Sequence, residues 1–362
     1  MKIAFNYNIF YNQRYGGISR YYTSIIKELI KKKIKLKIFS PIYKNRYLSK
    51  IHNDYISGYF LGHYPTPYYL TELIEYISFY QIQNSDFDII HDTNYSRKTL
   101  DIKKKKIVVT VYDLIHEKFS NLYNKNLEIK KKVIEKADKI ICISENTKRD
   151  LLEYYNLSEK KISIIHLGCN HFDFNLSQNS KEISHLIPEK FILFVGSREK
   201  YKNFDILLNS YHRAKEINKK YKLVCFGGGK FSKNEKKKIS DLSLQAKVFN
   251  FLGEDSLLSE LYLKASLFVF PSNYEGFGIP IIEAMLHGCP VLASNIKVFS
   301  EVSKNSINFF EKGDENSLVN ELIKLLGENF DLDVNKKNSK LIADNYSWEN
   351  CASQTLKIYE DL

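Results

Sequence analysis

The residues best suited to chemistry lie between positions 273 and 295, in the segment NYEGFGIPIIEAMLHGCPVLASN. Glu275 and Glu283 are eight positions apart there, the first in a predicted turn and the second on the predicted helix that follows. The turn contains Gly276, Phe277 and Gly278. Backbone N–H groups and a helix N-terminus attract phosphate, and a carboxylate accepts hydrogen bonds from hydroxyl groups. The segment therefore has the groups needed to bind a phosphorylated ligand that carries hydroxyls.

Two short apolar runs place this turn at the edge of a sheet. Residues 267–272, LFVFPS, are typical of a buried parallel strand, and residues 290–294, PVLAS, of the next strand. Pro280 suits the first turn of the helix between them, where its missing N–H costs little. Ligands of open α/β folds bind at the carboxyl ends of parallel strands, so we expect the binding site at this edge.

The segment EGFGIPIIEAMLHGCPVLAS resembles the E-x7-E signature of family 4, or group 1, of the retaining glycosyltransferases that use nucleotide sugars. The resemblance implies that Glu275 is catalytic and lies over the donor sugar, and that Glu283 binds the ribose diol. It also implies donor contacts from Gly276, Phe277 and Gly278. The alternative is that Glu275 only caps a helix and Glu283 lies on a solvated face.

The sequence GGISRY, which starts at Gly16 and Gly17, opens the first long predicted helix. Two glycines let backbone N–H groups approach a ligand closely, and the helix dipole favours an anion. A tight strand-to-helix turn would explain the same glycines. The motif resembles the family's GGISRY loop, which implies that Gly16 and Gly17 face the donor phosphates and the acceptor.

A basic loop, GSREKYKN, follows the predicted strand FILFV. Cations at the carboxyl end of a strand can stabilise a diphosphate leaving group as its charge develops. The family pattern implies donor binding by Lys202, which would also be catalytic, with Asn203 beside it. The family's usual arginine would stand at position 197, where this chain has Ser197. The resemblance implies that Arg198, one place later, binds the donor. A solvated loop is the competing interpretation, above all for Lys200.

Two further segments resemble family motifs. Residues 110–117, TVYDLIHE, are similar to the family's H-D-(L/M)-I segment, although Tyr112 replaces its histidine. His116 could take over the role of that histidine by hydrogen-bonding a sugar hydroxyl, and would then be catalytic. The alternative is a loop histidine without a functional role. His91 is expected to have a structural or acceptor-side role. Gly253, in the segment NFLG, is expected to contact the nucleobase through its backbone.

The composition of the chain limits the number of domains and the kinds of partner that can be expected. The chain has 362 residues, 44% of them hydrophobic and 14% aromatic, which is enough for about two cores. Its net charge of +12 suits nucleic acid, an anionic membrane or an anionic substrate. The five scattered cysteines predict reduced core residues. No apolar run approaches the ~20 residues that span a bilayer, so we expect a soluble or peripheral protein of the cytoplasm, at the inner face of the membrane where it is peripheral.

Strand-like and helical runs alternate along the whole chain, which predicts parallel sheets with crossover helices. We expect a Rossmann-like acceptor-binding domain over residues 1–170 and a Rossmann-like nucleotide-sugar domain over residues 187–345. Residues 346–362 should form a helix that packs back on the first domain. The resemblance names this α/β architecture GT-B, with its two domains facing across a cleft.

The interpretation that follows is a retaining hexosyltransferase whose acceptor is a polysaccharide or a polyprenyl-linked saccharide. GDP-mannose is slightly favoured as the donor over a UDP-sugar. No cofactor is expected, and we expect no metal to be required. Whether Glu275 forms a covalent intermediate is open. One alternative is a GT-B epimerase or a non-catalytic sugar-nucleotide binder. The other is a nucleic-acid-binding protein, which only the net charge favours, and we expect no nucleic-acid partner.

Overall fold

A computed structural model describes residues 1–62, 70–121, 127–169, 186–198, 200–327 and 341–362. The polar, irregular sequence from Cys169 to Glu189 predicts an interdomain linker, and most of it lies outside the described residues. The chain divides into two compact units. The first unit comprises Met1–Gly168 and Ser347–Leu362, and the second comprises Cys169–Tyr346.

The first unit contains a seven-stranded parallel sheet with the order β3-β2-β1-β4-β5-β6-β7. Its strands are β1 (Lys2–Asn6), β2 (Lys35–Tyr43), β3 (Ile56–Phe60), β4 (Ile89–Asp92), β5 (Lys106–Val111), β6 (Lys139–Cys142) and β7 (Ile162–Ile164). Its helices among the described residues include α1 (Asn8–Asn12), α2 (Gly17–Lys31), α3 (Thr71–Gln83), α4 (Ile115–Lys118), α5 (Glu128–Lys136) and α6 (Glu145–Tyr154). The order reverses between β1 and β4, which is the switch point of a doubly wound fold.

The second unit repeats this topology with a six-stranded parallel sheet of order β10-β9-β8-β11-β12-β13. Its strands are β8 (Phe191–Val195), β9 (Lys222–Phe226), β10 (Val248–Phe251), β11 (Leu267–Phe270), β12 (Val291–Ser294) and β13 (Asn308–Phe310). Its helices among the described residues include α7 (Phe204–Arg213), α8 (Lys215–Lys220), α9 (Lys233–Asp241), α10 (Asp255–Lys264), α11 (Ile279–Leu286), α12 (Lys297–Ser303) and α13 (Glu315–Leu326). The switch point lies between β8 and β11.

The central strands are apolar because helices cover both faces of each sheet. Every residue of β8 and every residue of β11 is buried. All five cysteines are free and buried, as their scatter through apolar segments predicts. The sequence-based prediction of an α/β fold with two parallel sheets is confirmed.

The last helix, α14 (Trp348–Glu360), belongs to the first unit. It packs against α2, and its Tyr359 hydroxyl lies 2.6 Å from Nδ1 of His91 on β4. Nε2 of His91 lies 2.9 Å from the Thr110 hydroxyl. Burial lowers the pKa of His91 to about 3, so the imidazole stays neutral and ties the sheet to the last helix. These contacts support a structural role for His91, and an acceptor-side role stays a prediction.

Candidate active site

The strongest candidate site lies at the carboxyl edge of the second sheet, at its switch point. Residues 196–203 follow β8 and residues 271–278 follow β11, and these two strands are neighbours in the sheet. Two loops that are far apart in sequence are therefore brought side by side at the edge where doubly wound folds bind their ligands.

The two loops meet in an ion pair between Lys202 and Glu275. Lys202 Nζ lies 2.6 Å from Glu275 Oε1, and the two side chains are 13% and 11% exposed. The ammonium group also lies 5.3 Å from the ring centres of Tyr201 and Phe270. Pairing and aromatic faces compensate for most of the hydration that the lysine loses. The remaining exposure leaves a way in for a ligand.

Backbone geometry fixes this pair. Asn203, at the N-cap of α7, has φ of 53°, a left-handed conformation that asparagine tolerates better than most residues. Its side-chain amide donates to Asn273 Oδ1 at 3.3 Å. The Asn273 N–H donates to the Tyr201 carbonyl at 2.7 Å. Hydrogen bonds to Asn273 thus join the two loops on both sides of Lys202.

The turn after Glu275 is buried, and it leads directly into α11. Gly278 has φ of 99°, and a Cβ atom there would lie 3.0 Å from the Phe299 ring, so both backbone angle and space favour glycine. The Phe277 ring packs edge-on against Tyr346 at 5.7 Å. Gly276, Phe277 and Gly278 therefore form a turn whose backbone is fixed by packing.

Glu283 lies on α11, eight positions after Glu275, and is 7% exposed. Its Oε2 accepts a hydrogen bond of 3.0 Å from the hydroxyl of Tyr262 on α10. Burial, and then the nearby Glu283 charge, raise the pKa of Tyr262, so its proton stays in place to donate. The alternative that Glu283 lies on a solvated face is wrong, because the side chain is buried and hydrogen-bonded, and its contact with a ribose stays a prediction.

Arg198 is held by the protein itself. Its side chain is 3% exposed and forms an ion pair with Glu235 through Nε. Its Nη1 donates to the Gly227 carbonyl at 2.9 Å, and Nη2 donates to the carbonyls of Gly228, Gly229 and Lys230 at 3.0–3.3 Å. The guanidinium therefore holds the turn after β9 in this structure, and a contact with phosphate stays a prediction.

This glycine turn explains why an arginine is needed. Gly227, Gly228 and Gly229 have φ values of 86°, 65° and 74°, so the turn is left-handed and its carbonyls converge. Glu235 completes the arrangement by capping α9 together with Ser232. Although burial acts against it, hydrogen bonds from Ser232 and Arg198 hold the pKa of Glu235 below its ordinary value.

Sequence reasoning missed Glu235 and Tyr262 as partners of site residues. The S-x-x-E spacing of Ser232 and Glu235 is a signal for a helix cap. No local signal indicates that Glu235 reaches Arg198 or that Tyr262 reaches Glu283, because both contacts join elements distant in sequence.

Gly253 lies at the same edge of the sheet, just beyond β10. A Cβ atom there would lie 2.8 Å from the Leu257 side chain on α10, so glycine lets the loop pack on that helix. Asn250, on β10, donates to the Gly229 carbonyl at 2.8 Å. The loops after β8, β9, β10 and β11 thus share one edge, and contact between Gly253 and a nucleobase stays a prediction.

In the first unit, Gly16 and Gly17 lie at the start of α2. The Gly16 carbonyl accepts from the Ser19 hydroxyl at 3.0 Å and from the Arg20 N–H at 2.9 Å. A Cβ atom on Gly17 would meet nothing within 4 Å, so the space beside this residue is open. The structure places the turn where the sequence predicts it, and its contact with phosphates stays a prediction.

His116 lies half-buried on α4, apart in sequence from the other candidates. Tyr112, which stands in place of the family histidine, packs edge-on against Tyr21 at 5.6 Å and is 9% exposed. Tyr112 is thus part of the aromatic core beside α2. The role of His116 stays a prediction. In the described part of the chain, no group of three or more His, Cys, Asp or Glu residues could hold a metal ion.

Two doubly wound sheets are an architecture that α/β proteins use to bind ligands at the carboxyl edge of a sheet, and comparison with known proteins gives the family. Residues 177–350 match the family model "Glycosyl transferases group 1", and residues 15–171 match "Glycosyltransferase Family 4". The chain belongs to the group 1 glycosyltransferases.

Two curated relatives indicate the range of chemistry in this family. The O-antigen chain mannosyltransferase RfbU of Salmonella typhimurium is 33% identical over 188 residues, 51% of this chain and 50% of the relative. The Campylobacter jejuni N-acetylgalactosamine-N,N'-diacetylbacillosaminyl-diphospho-undecaprenol 4-alpha-N-acetylgalactosaminyltransferase is 33% identical over 180 residues, 49% of this chain and 47% of the relative. The chain spans 47–61% of the length of several curated relatives that it matches, and 27–28% of the length of longer ones.

The fold has a close match among solved structures. Anabaena Alr3699/HepE, in complex with UDP and glucose, superposes with a TM-score of 0.77 at 18% identity, and the match covers 100% of both chains. HepE is a GT-B glycosyltransferase, and the GT-B fold expected from the sequence is confirmed.

Proposed function

We propose that this protein is a retaining glycosyltransferase that transfers a hexose from a nucleotide-sugar donor to a saccharide acceptor. The observation that carries the proposal is the pair formed by Lys202 and Glu275, 2.6 Å apart at the switch point of the second sheet. One cation and one carboxylate at a partly exposed edge supply the two kinds of contact that such a donor needs.

In this proposal the diphosphate of the donor replaces Glu275 as the partner of Lys202. The diphosphate carries more negative charge than a single carboxylate and competes with Glu275 for the Lys202 ammonium. The lysine then stabilises the charge that develops on the leaving diphosphate. Glu275 is left facing the sugar, where it holds hydroxyls or supports positive charge on the ring.

Glu283 and Tyr262 serve the other end of the donor. The hydrogen bond from Tyr262 engages one oxygen of the Glu283 carboxylate and fixes its orientation. A fixed, largely buried carboxylate is suited to a ribose diol, because its oxygens are geometrically matched to two neighbouring hydroxyls. The fixed amides after Glu275 and the start of α11 favour an anion.

For the substrates we propose GDP-mannose first and a UDP-sugar second. The mannosyltransferase relative supports the first, and the UDP complex of HepE supports the second. We propose a polysaccharide or lipid-linked saccharide as the acceptor, by analogy with the diphospho-undecaprenol relative. A lipid-linked acceptor would require contact with the cytoplasmic face of a membrane.

The test combines binding and product analysis. Thermal shifts of the purified protein would be measured with GDP-mannose, UDP-glucose, UDP-galactose, UDP-N-acetylglucosamine and the free diphosphates. The nucleotide that stabilises the protein would then be supplied with a lipid-linked acceptor, and the anomeric configuration of the product determined by NMR.

We expect stabilisation by one nucleotide family and a product with the donor's anomeric configuration. An inverted product would rule out the retaining mechanism. An altered sugar nucleotide without transfer would identify an epimerase instead. Stabilisation by none of the nucleotides would overturn the assignment of the second-unit site.

A further inference from the structure

The outer face of α3 carries an exposed apolar stripe, defined here as Leu73, Tyr76, Ile77 and Tyr80. Their exposed fractions are 54%, 54%, 36% and 58%. The spacing i, i+3, i+4, i+7 puts all four side chains on one side of the helix. Isolated exposed apolar residues are ordinary, but four large ones in a row form a patch that suggests an interaction site.

The stripe is not the face by which α3 is attached to the first unit. Ile74, Ser78 and Ile82 are buried on the opposite side. The Ser78 hydroxyl donates to the Phe39 carbonyl on β2 at 2.7 Å. The helix is therefore anchored through one apolar face and presents a second apolar face outward.

A cluster of lysines lies at the C-terminal end of the stripe. Gln83, the last residue of α3, donates to the Lys103 carbonyl at 3.4 Å and accepts from the Lys103 N–H at 3.2 Å. Lys103 and Lys104 are both exposed. The double hydrogen bond fixes these cations beside the helix, so the apolar stripe ends at a positive edge.

We propose that the apolar stripe of α3, together with Lys103 and Lys104, docks on the surface of an anionic lipid bilayer. Tyrosines favour the interface between headgroups and acyl chains, and Leu73 and Ile77 can enter the acyl boundary. The lysines are attracted by anionic headgroups. A second copy of the chain would bring another positive edge to the patch, so charge complementarity favours lipid.

This inference deepens the proposed function, because it supplies the surface by which the enzyme would reach a lipid-linked acceptor. It differs from a general effect of the net charge of +12. A charge effect alone would be spread over all lysines, whereas docking through α3 depends on four apolar side chains and two lysines.

The test is co-sedimentation with phosphatidylglycerol vesicles and with phosphatidylcholine vesicles. Wild-type protein should bind the anionic vesicles and lose affinity as salt rises. Leu73→Ser/Ile77→Ser should weaken this binding by about tenfold or more, because two apolar anchors are removed. The matched control is Leu263→Ser/Ile323→Ser, which changes residues of similar exposure, 53% and 48%, in the second unit.

A second pair of variants separates position from charge. Lys103→Glu/Lys104→Glu should weaken binding to anionic vesicles strongly. Lys236→Glu/Lys237→Glu, which changes two exposed lysines of α9 by the same amount of charge, should weaken it much less. Equal losses in both pairs would overturn docking through α3 in favour of a general charge effect.

Two further results would also overturn the inference. One is wild-type protein that binds no vesicles. The other is a wild-type dimer that Leu73→Ser/Ile77→Ser converts to a monomer with unchanged vesicle binding. Thermal shift with nucleotides is measured on every variant. If nucleotides do not stabilise the wild-type protein, the proposed function is contradicted. If the α3 variants keep both nucleotide binding and vesicle binding, only docking through α3 is contradicted.

Discussion

The two sheets share one topology but use their switch points differently. At the β1–β4 junction of the first sheet, Asn6 Oδ1 accepts from the Thr93 N–H at 2.8 Å and from its hydroxyl at 2.6 Å. Both residues are buried. At the β8–β11 junction of the second sheet, the partly exposed charges of Lys202 and Glu275 face each other.

Asp92 extends the contrast. It lies at the end of β4, and its carboxylate accepts from the Asn94 N–H at 2.9 Å, from the Ser96 N–H at 3.0 Å and from the Thr99 hydroxyl. Burial raises the pKa of Asp92 despite these hydrogen bonds. Backbone and hydroxyl donors thus engage this carboxylate within the fold, whereas a lysine engages Glu275.

This difference between the two switch points shows that the same sheet topology can serve either to fix the fold or to bind a charged ligand. Buried polar groups that engage one another through neutral partners fix a loop and leave little for a ligand. Two opposite charges at a partly exposed edge can exchange partners when a charged ligand arrives. Mutations at the second switch point should therefore change activity more than stability, and mutations in the first unit's core should do the reverse.

The largest effect is expected for Glu275→Gln. Transfer should fall by more than ~100-fold, because the neutral amide cannot support positive charge on the sugar. Affinity for the free nucleoside diphosphate should rise, because Lys202 loses its competing partner. Initial rates and calorimetric titration measure the two quantities, with the exposed Glu216→Gln as control. Near-wild-type transfer would remove Glu275 from the catalytic assignment.

A smaller effect is expected for Lys202→Met. Transfer should fall by about 10–100-fold through weaker stabilisation of the leaving diphosphate. Binding of the diphosphate should weaken, while binding of the nucleoside should not. Lys200→Met is the matched control, because Lys200 is an exposed lysine two positions earlier in the same turn. Equal losses from both lysines would indicate a general charge effect on donor binding.

Sequence patterns predict most of the structural features around Glu275 and Lys202. The apolar strands, the glycine turn after Glu275 and the position of Lys202 all follow from local signals. The alternating apolar runs of the sequence do not indicate β3, an edge strand whose last residues, Tyr59 and Phe60, are exposed. Its middle residue is Gly58, whose Cβ would lie 1.6 Å from the Ser40 carbonyl oxygen. A strand held by close backbone approach has little apolar periodicity to detect.

The hydrogen-bond partners of Arg198 could not be predicted from the sequence either, because they too are set by close contacts between segments distant in sequence. Its contacts depend on a left-handed glycine turn and on Glu235, which lies 37 positions away. Sequence places an arginine in the loop after β8, but only three-dimensional structure distinguishes a guanidinium bound to carbonyl oxygens from one that faces a ligand.

Arg198→Lys tests this distinction. Lysine cannot reproduce the fork of hydrogen bonds to the glycine turn and Glu235, so unfolding free energy should fall by about 1–3 kcal/mol. Glu235→Gln should show strong coupling to it in a double-mutant cycle measured by urea denaturation. If Arg198 instead acts mainly on phosphate, the variant would lose diphosphate affinity selectively and show little coupling to Glu235.

The smallest effect is expected at the core of the first unit, for His91→Gln. The pKa of His91 is about 3 in the folded protein, below its ordinary 6.5. As pH falls below about 6.5, the unfolded chain binds a proton that the folded chain does not, so unfolding free energy decreases towards pH 3. Between pH 7.5 and 5.5 this loss is about 1.4 kcal/mol in the wild type.

Glutamine keeps one donor and one acceptor for Tyr359 and Thr110 but does not titrate. The variant should therefore lack this part of the pH dependence, and urea denaturation at the two pH values would measure the difference. His52→Gln, at an exposed histidine of the same unit, should keep the wild-type dependence. A His91→Gln protein with the wild-type pH dependence would mean that His91 binds a proton in the folded chain about as readily as in the unfolded chain. The neutral core of the first unit would then resemble the charged switch point of the second more closely than its hydrogen bonds suggest.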